Sequence, residues 1–204
     1  MRPVRAITTI VFAAAVAAAV TGSYIAYSTH ASQPPSDTSG PTSAAFDRQA
    51  AVYSAALRQF VTPGHQFVTP GDPDSFGYEG RFPRIFVLDR AVAGTGDTTP
   101  KANPDGGELI PPAVRHAITH ALADVAPLTF VTSPAAAIDK QHPNRVRDEG
   151  ILVTFGPLVG VGDRVQVGID GFVSGVAAQW LTYAVERTGG RWVVRETTVR
   201  GPVA

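Results

Sequence analysis

Residues 180–199 read WLTYAVERTGGRWVVRETTV. Gly189-Gly190 stands between two runs rich in β-branched and aromatic side chains. The tight turns that join antiparallel strands need positive φ, which glycine adopts without a steric penalty. Trp180–Glu186 and the run from Trp192 to Val199 are therefore predicted to form a hairpin. Upstream, Val165, Val167 and Ile169 alternate with Gln166, Gly168 and Asp170, the period-two pattern of a half-buried strand. Ile151–Phe155 is a compact apolar run of strand length. Four successive strands joined by short turns make an antiparallel β-meander over the C-terminal third.

The preceding residues carry a helical period instead. Ser43 reads as the N-cap of a helix that places Phe46, Ala50, Tyr53, Leu57, Phe60 and Val61 on one face, with Asp47 near its positive end. Thr62-Pro63-Gly64 ends it. Pro111-Pro112 suits the first turn of a second helix, where amides lack partners anyway, and Val114, Ile118, Ala121, Leu122 and Val125 mark its buried face. Ile85–Leu88, within FPRIFVLDR, reads as a buried strand. Leu128–Val131 reads as a shorter one, and Ser133-Pro134 opens a brief helix reaching Asp139. The expected fold class is α+β: a two-layer domain with two main helices packed on an antiparallel meander.

This domain is expected to span residues 44–204, behind a leader at 1–27 and a linker at 28–43. Arg2 and Arg5 precede a stretch from Ala6 to Tyr27 without a charged side chain. As a helix it would reach about 33 Å, against a hydrocarbon core of about 30 Å. The arginines stay on the cytoplasmic side, so the rest faces outward. Two outcomes share the pattern: a retained transmembrane signal-anchor, and a secretory signal removed after export. Tyr24 and Tyr27 suit the outer interface and favour retention. Ser28–Ser43, STHASQPPSDTSGPTS, has too few apolar side chains to offset its ordering entropy and reads as a tether.

Phe60–Gln66, FVTPGHQ, is followed at once by Phe67–Pro73, FVTPGDP. A repeat this short is a local duplication and not a solenoid unit. The stretch from Thr62 to Gly80 is therefore expected to be an exposed loop that tolerates insertion.

Composition narrows the function classes. There is no cysteine, so neither disulfides nor a cysteine-linked lipid anchor is available, and the domain must fold on packing alone. Lys101 and Lys140 are the only lysines, the arginines are scattered, and the formal net charge is zero. Nucleic acid is not an expected partner.

Candidate chemistry is sparse. His116 and His120 have the i, i+4 spacing of metal-binding pairs, but they point away from the apolar stripe and no third ligand follows. Asp72, Asp74 and Glu79, in GDPDSFGYEG, resemble the start of a calcium loop, yet Phe76 and Pro83 occupy positions that need oxygen donors. Gly94–Lys101, GTGDTTPK, lacks the Gly-Lys-Ser/Thr order of a phosphate cradle and reads as a loop. Ser174 lies between meander strands, where a hydrolase nucleophile does not sit. Trp180 and Trp192 read as core or cross-strand partners.

Asp170 is the one pocket candidate for ligand binding. It shares a strand face with Gln166 and Phe172. Under the helices it would be a buried carboxylate; on the outer face it would be solvated. Val165, Val167 and Ile169 make the better core face, which favours the solvated position. No catalytic or metal residue is assigned, and no cofactor is implied.

The element order is similar in outline to cystatin-like or nuclear-transport-factor-2-like domains, a likeness of topology that implies fold and not function. The function expected from all this is a membrane-tethered extracytoplasmic binding or assembly module without catalytic activity, contacting the membrane through its leader and an envelope protein through its folded domain. Its place is the plasma membrane, single-pass, or outside the cell after signal cleavage. The alternative is a small-molecule-binding or hydrolytic domain with a pocket between helices and sheet.

Overall fold

The computed structural model describes residues 43–62, 82–97, 106–175 and 177–199. The leader at 1–27, the linker up to Ser43, the second copy of the duplicated unit, Asp72, Asp74, Glu79 and Lys101 lie outside the described residues. Among those described, no helix is long and apolar enough to cross a membrane. The fold is α+β, with two helices and a mostly antiparallel sheet.

Helix α1 (Ser43–Val61) buries Ala50, Tyr53, Leu57, Phe60 and Val61 of the expected stripe, while Phe46, its first member, is only partly buried. Val52 and Ala56 widen it, because α1 is covered on two sides, by the sheet beneath and by helix α2 (Pro112–Ala121) alongside. Pro111 and Pro112 open α2 as anticipated, and Val114, Ile118 and Leu122 are buried. Ala121, expected on the buried face, is exposed; its position falls on the flank, where its carbonyl accepts a hydrogen bond from Arg58. Arg58 also pairs with Asp124 at 2.8 Å, fastening the end of α1 to the turn after α2.

Strand β1 (Ile85–Ala91) lies inside the sheet, flanked by β4 (Ile151–Phe155) on one side and by β3 (Leu128–Val131) and the two-residue β2 (Glu108–Leu109) on the other. It runs parallel to both β3, with Ile85 opposite Leu128, and β4, with Val87 opposite Val153. From β4 the sheet continues as the expected meander through β5 (Arg164–Ser174), β6 (Ala177–Thr188) and β7 (Arg191–Val199), every pair antiparallel. The β6–β7 turn is made by Gly189 and Gly190, with φ of +57° and +81°.

The antiparallel meander is the expected one; the parallel pairs of β1 with β3 and β4 extend it into a mostly antiparallel sheet. On the helix side, Ile85, Val87, Ile151, Val153, Phe155, Val165, Val167 and Ile169 pack against α1 and α2. On the other side, the connection between β3 and β4 folds back so that Ala137, Ile138 and Val146 cover Phe86, Val131, Leu152 and Phe172. Arg147 lies 4.6 Å from the Phe86 ring centre. Parallel strands need both faces covered, and here an irregular segment covers the second one. The brief helix expected from Ser133 shrinks to a single 3₁₀ turn, Pro134–Ala136.

Candidate functional site

Asp170 stands on β5 opposite Thr154 of β4 and Trp180 of β6. Its strand neighbours Val167 and Ile169 are in the helix-side core, so Asp170 projects to the outer face, as the alternation implied. It is not solvated there: its exposure is 8%. The turn after β1 lies over it, and the Gly96 amide donates to Asp170 Oδ1 at 2.6 Å. Thr95 Oγ1 donates to the Val92 carbonyl at 2.7 Å, and Thr182 Oγ1 to the Gly96 carbonyl at 3.5 Å.

Three glycines make this clasp possible. Gly94 and Gly96 have φ of +81° and +86°. Gly168, under the turn, leaves the space that a Cβ would fill 1.8 Å from the Thr95 carbonyl oxygen. The glycines of Gly94–Lys101 therefore serve close packing on the sheet. A buried carboxylate bound to a backbone amide is a strong, charge-assisted contact. Using Asp170 as an acid or base would mean releasing the turn.

Sequence reasoning missed Asp89, which is equally buried and receives Arg90 Nε at 3.1 Å. Arg90 also reaches the Thr132 carbonyl. Asp89 and Arg90 lie where the β1–β4 register slips between Val87 and Ala91. On β4 the same interval holds Thr154, the strand partner of Asp170. An adjacent Asp-Arg at a strand end looks like surface, but β1 has neighbours on both sides and Asp89 is buried among them.

His116 and His120 are exposed on α2, away from its apolar stripe. Among the described residues, no group of three His, Asp or Glu side chains is disposed to hold a metal. Ser174 closes β5 opposite Ala177. The two tryptophans occupy opposite faces: Trp180 is across from Asp170, and Trp192, across from Arg187, faces α1 with the Arg48 guanidinium 5.7 Å from its ring.

Between α1 and the sheet, Tyr53 stacks on Phe155 at 4.3 Å and donates to the Gly156 carbonyl at 3.0 Å. Burial pushes its phenol up to about 12, with a hydrogen bond to Gln49 opposing and the Glu108 charge assisting. A recess of about 210 Å³ opens beside it, lined by Gln49, Ala91, Glu108 and Pro157.

A further open surface is the β7 edge. Among the described residues β7 pairs with β6 alone. Two recesses run between it and α1, both bordered by Trp192. One, of about 560 Å³, is lined by Asp47, Arg48, Asp163 and Arg187; the other, of about 270 Å³, by Ala55, Gln59, Thr62 and Val194. Arg48 bridges to the β4–β5 connection, donating to the Gly162 carbonyl at 3.1 Å. Backbone groups along the outer edge of a strand, beside a partly apolar groove, form a template for another strand.

Compared with protein-family models, curated proteins and solved structures, the chain matches none.

Proposed function

We propose that this chain is a membrane-tethered extracytoplasmic binding or assembly module without catalytic activity, and that β7 is its capture surface. The observation that carries the reading is the nine-residue β7 edge with the Trp192-bordered grooves beside it. An extended partner segment would hydrogen-bond along β7. Its alternate side chains would enter the grooves beside Trp192 and lie on the opposite face beside Val193. The uncharged stretch Ala6–Tyr27 supplies the membrane contact and the linker at 28–43 supplies reach, in a single-pass plasma-membrane arrangement or, after cleavage, as a secreted form. The expected partner is a protein of the envelope.

A photoreactive residue at Val193 of the full chain, activated in its own membrane, tests this. A discrete adduct absent from the same probe at Val161 supports the reading. Equal labelling at both positions, or no adduct, overturns it.

The recess beside Tyr53 favours a second reading, a small-molecule binder with its pocket between α1 and the sheet. Native mass spectrometry of the full chain in detergent would reveal a retained ligand that Gln49→Leu loses.

A further inference from the structure

We infer that the segment captured by β7 is β7 of a second copy, paired antiparallel about a two-fold axis through Val193. This deepens the reading of β7 as a capture surface and rests on it. The register with β6 carries the inference. Counted on its rungs, β7 sets Arg191 opposite Thr188, Trp192 opposite Arg187, Val193 opposite Glu186, Val194 opposite Val185 and Glu196 opposite Ala184. Arg195 is the extra residue where the register slips. Residues opposed in an antiparallel pair share a face, so a two-fold axis must pass through a rung.

With the axis at Val193, that valine meets its own copy. Trp192 meets Val194 on the helix side, and Arg191 meets Glu196 on the outer side, each contact occurring twice. The other registers lose this match. An axis at Val194 sets Val193 against Glu196 and Arg191 against Thr198. One at Glu196 sets two carboxylates together, and one at Arg191 two guanidinium groups. Opposite charges directly across a strand pair stabilise it and like charges do the reverse. Val193 is 39% exposed, and the pairing covers it.

Arg195 reaches Glu186 at 3.9 Å and donates to Thr188 Oγ1 at 2.9 Å, and Glu196 meets Arg164 at 3.5 Å, so charges crowd the slip. A two-fold pairing closes on itself and uses up the edge. The other end of the sheet is formed by β2 and β3, of two and four residues.

The chain contains no cysteine, which permits a clean test on the full chain in detergent. Opposed Cα atoms in such a pair are about 4.5–5.5 Å apart, within the span of a disulfide. Val193→Cys should give a covalent dimer under mild oxidation, and Val161→Cys, elsewhere on the surface, should not. Independently of any cysteine, Arg191→Glu should weaken dimerisation about tenfold by light scattering, and the exchange Arg191→Glu/Glu196→Arg should restore it. A folded Val193→Cys chain that stays monomeric, or a Val161→Cys chain that links as readily, overturns the pairing. An exchange that fails to restore the dimer overturns the register. A monomer that still gives a Val193 photo-adduct with a different protein would sink self-pairing while leaving the capture surface standing.

Discussion

The Gly96 amide and the Asp170 carboxylate meet at 2.6 Å although 74 residues separate them in the chain. That contact turns a side chain on the outer face of the sheet into a fixing point for the turn after β1. It also explains why two of the buried polar groups, Thr95 and Asp170, lie together on the face away from the helices.

Asp170→Ala should leave the Gly96 amide buried without its acceptor. The expected loss is about 2 kcal/mol, roughly 4–8 °C in melting temperature for a domain of this size. Asp170→Asn, which keeps an oxygen, should lose less. Amide exchange at Gly96 should accelerate in the alanine variant; unchanged exchange and melting would mean that the clasp is not held by this carboxylate.

Gly168→Ala should be more damaging than its size suggests. The new methyl would lie 1.8 Å from the Thr95 carbonyl, and overpacking of this kind destabilises by about 1–3 kcal/mol or more. Gly190→Ala meets no atom within 4 Å but carries φ of +81°, so about 1 kcal/mol is expected there. Denaturant midpoints compared across the two variants separate crowding from backbone strain; equal midpoints would contradict the packing.

Gln179 is 2% exposed, and its amide nitrogen and oxygen have no hydrogen-bond partner among the described residues. Gln179→Leu should therefore stabilise the fold by about 1–2 kcal/mol, since an unpaired buried amide carries a desolvation penalty that an apolar isostere lacks. A lower melting temperature would show that the amide is satisfied.

Tyr53 governs part of the alkaline behaviour. Its phenol is raised from 10.0 to about 12 by burial, so the folded state favours the protonated form. The associated stability is complete below pH 10 and is lost as pH rises through about 12. Tyr53→Phe should cost about 1 kcal/mol at pH 7 through the lost bond to Gly156, yet fall less steeply between pH 10 and 12. Denaturant titrations at several pH values measure both; parallel curves would show that this phenol does not ionise in that window.

The meander was legible because period-two alternation and Gly189-Gly190 are local signals, and both helices were legible from their apolar stripes. The parallel pairing of β1 was not. The continuous run Ile85–Leu88 says that both faces are buried, but neighbours 43 and 66 residues away leave no trace in a local period. Asp170 shows the same limit: alternation assigned its face correctly but carried nothing about the turn that covers that face. The edge position of β7 follows from the order of the meander, whereas its charge pattern becomes readable only once the slip at Arg195 removes one residue from the count.

Hydrogen exchange along β7, followed in the full chain, tests the central claim most directly. Capture at this edge, with the register centred on Val193, predicts that those amides of residues 191–196 that point away from β6 exchange slowly and that Arg191→Glu releases them. Rapid exchange in the unaltered chain, at the rate of an open strand edge, would contradict it.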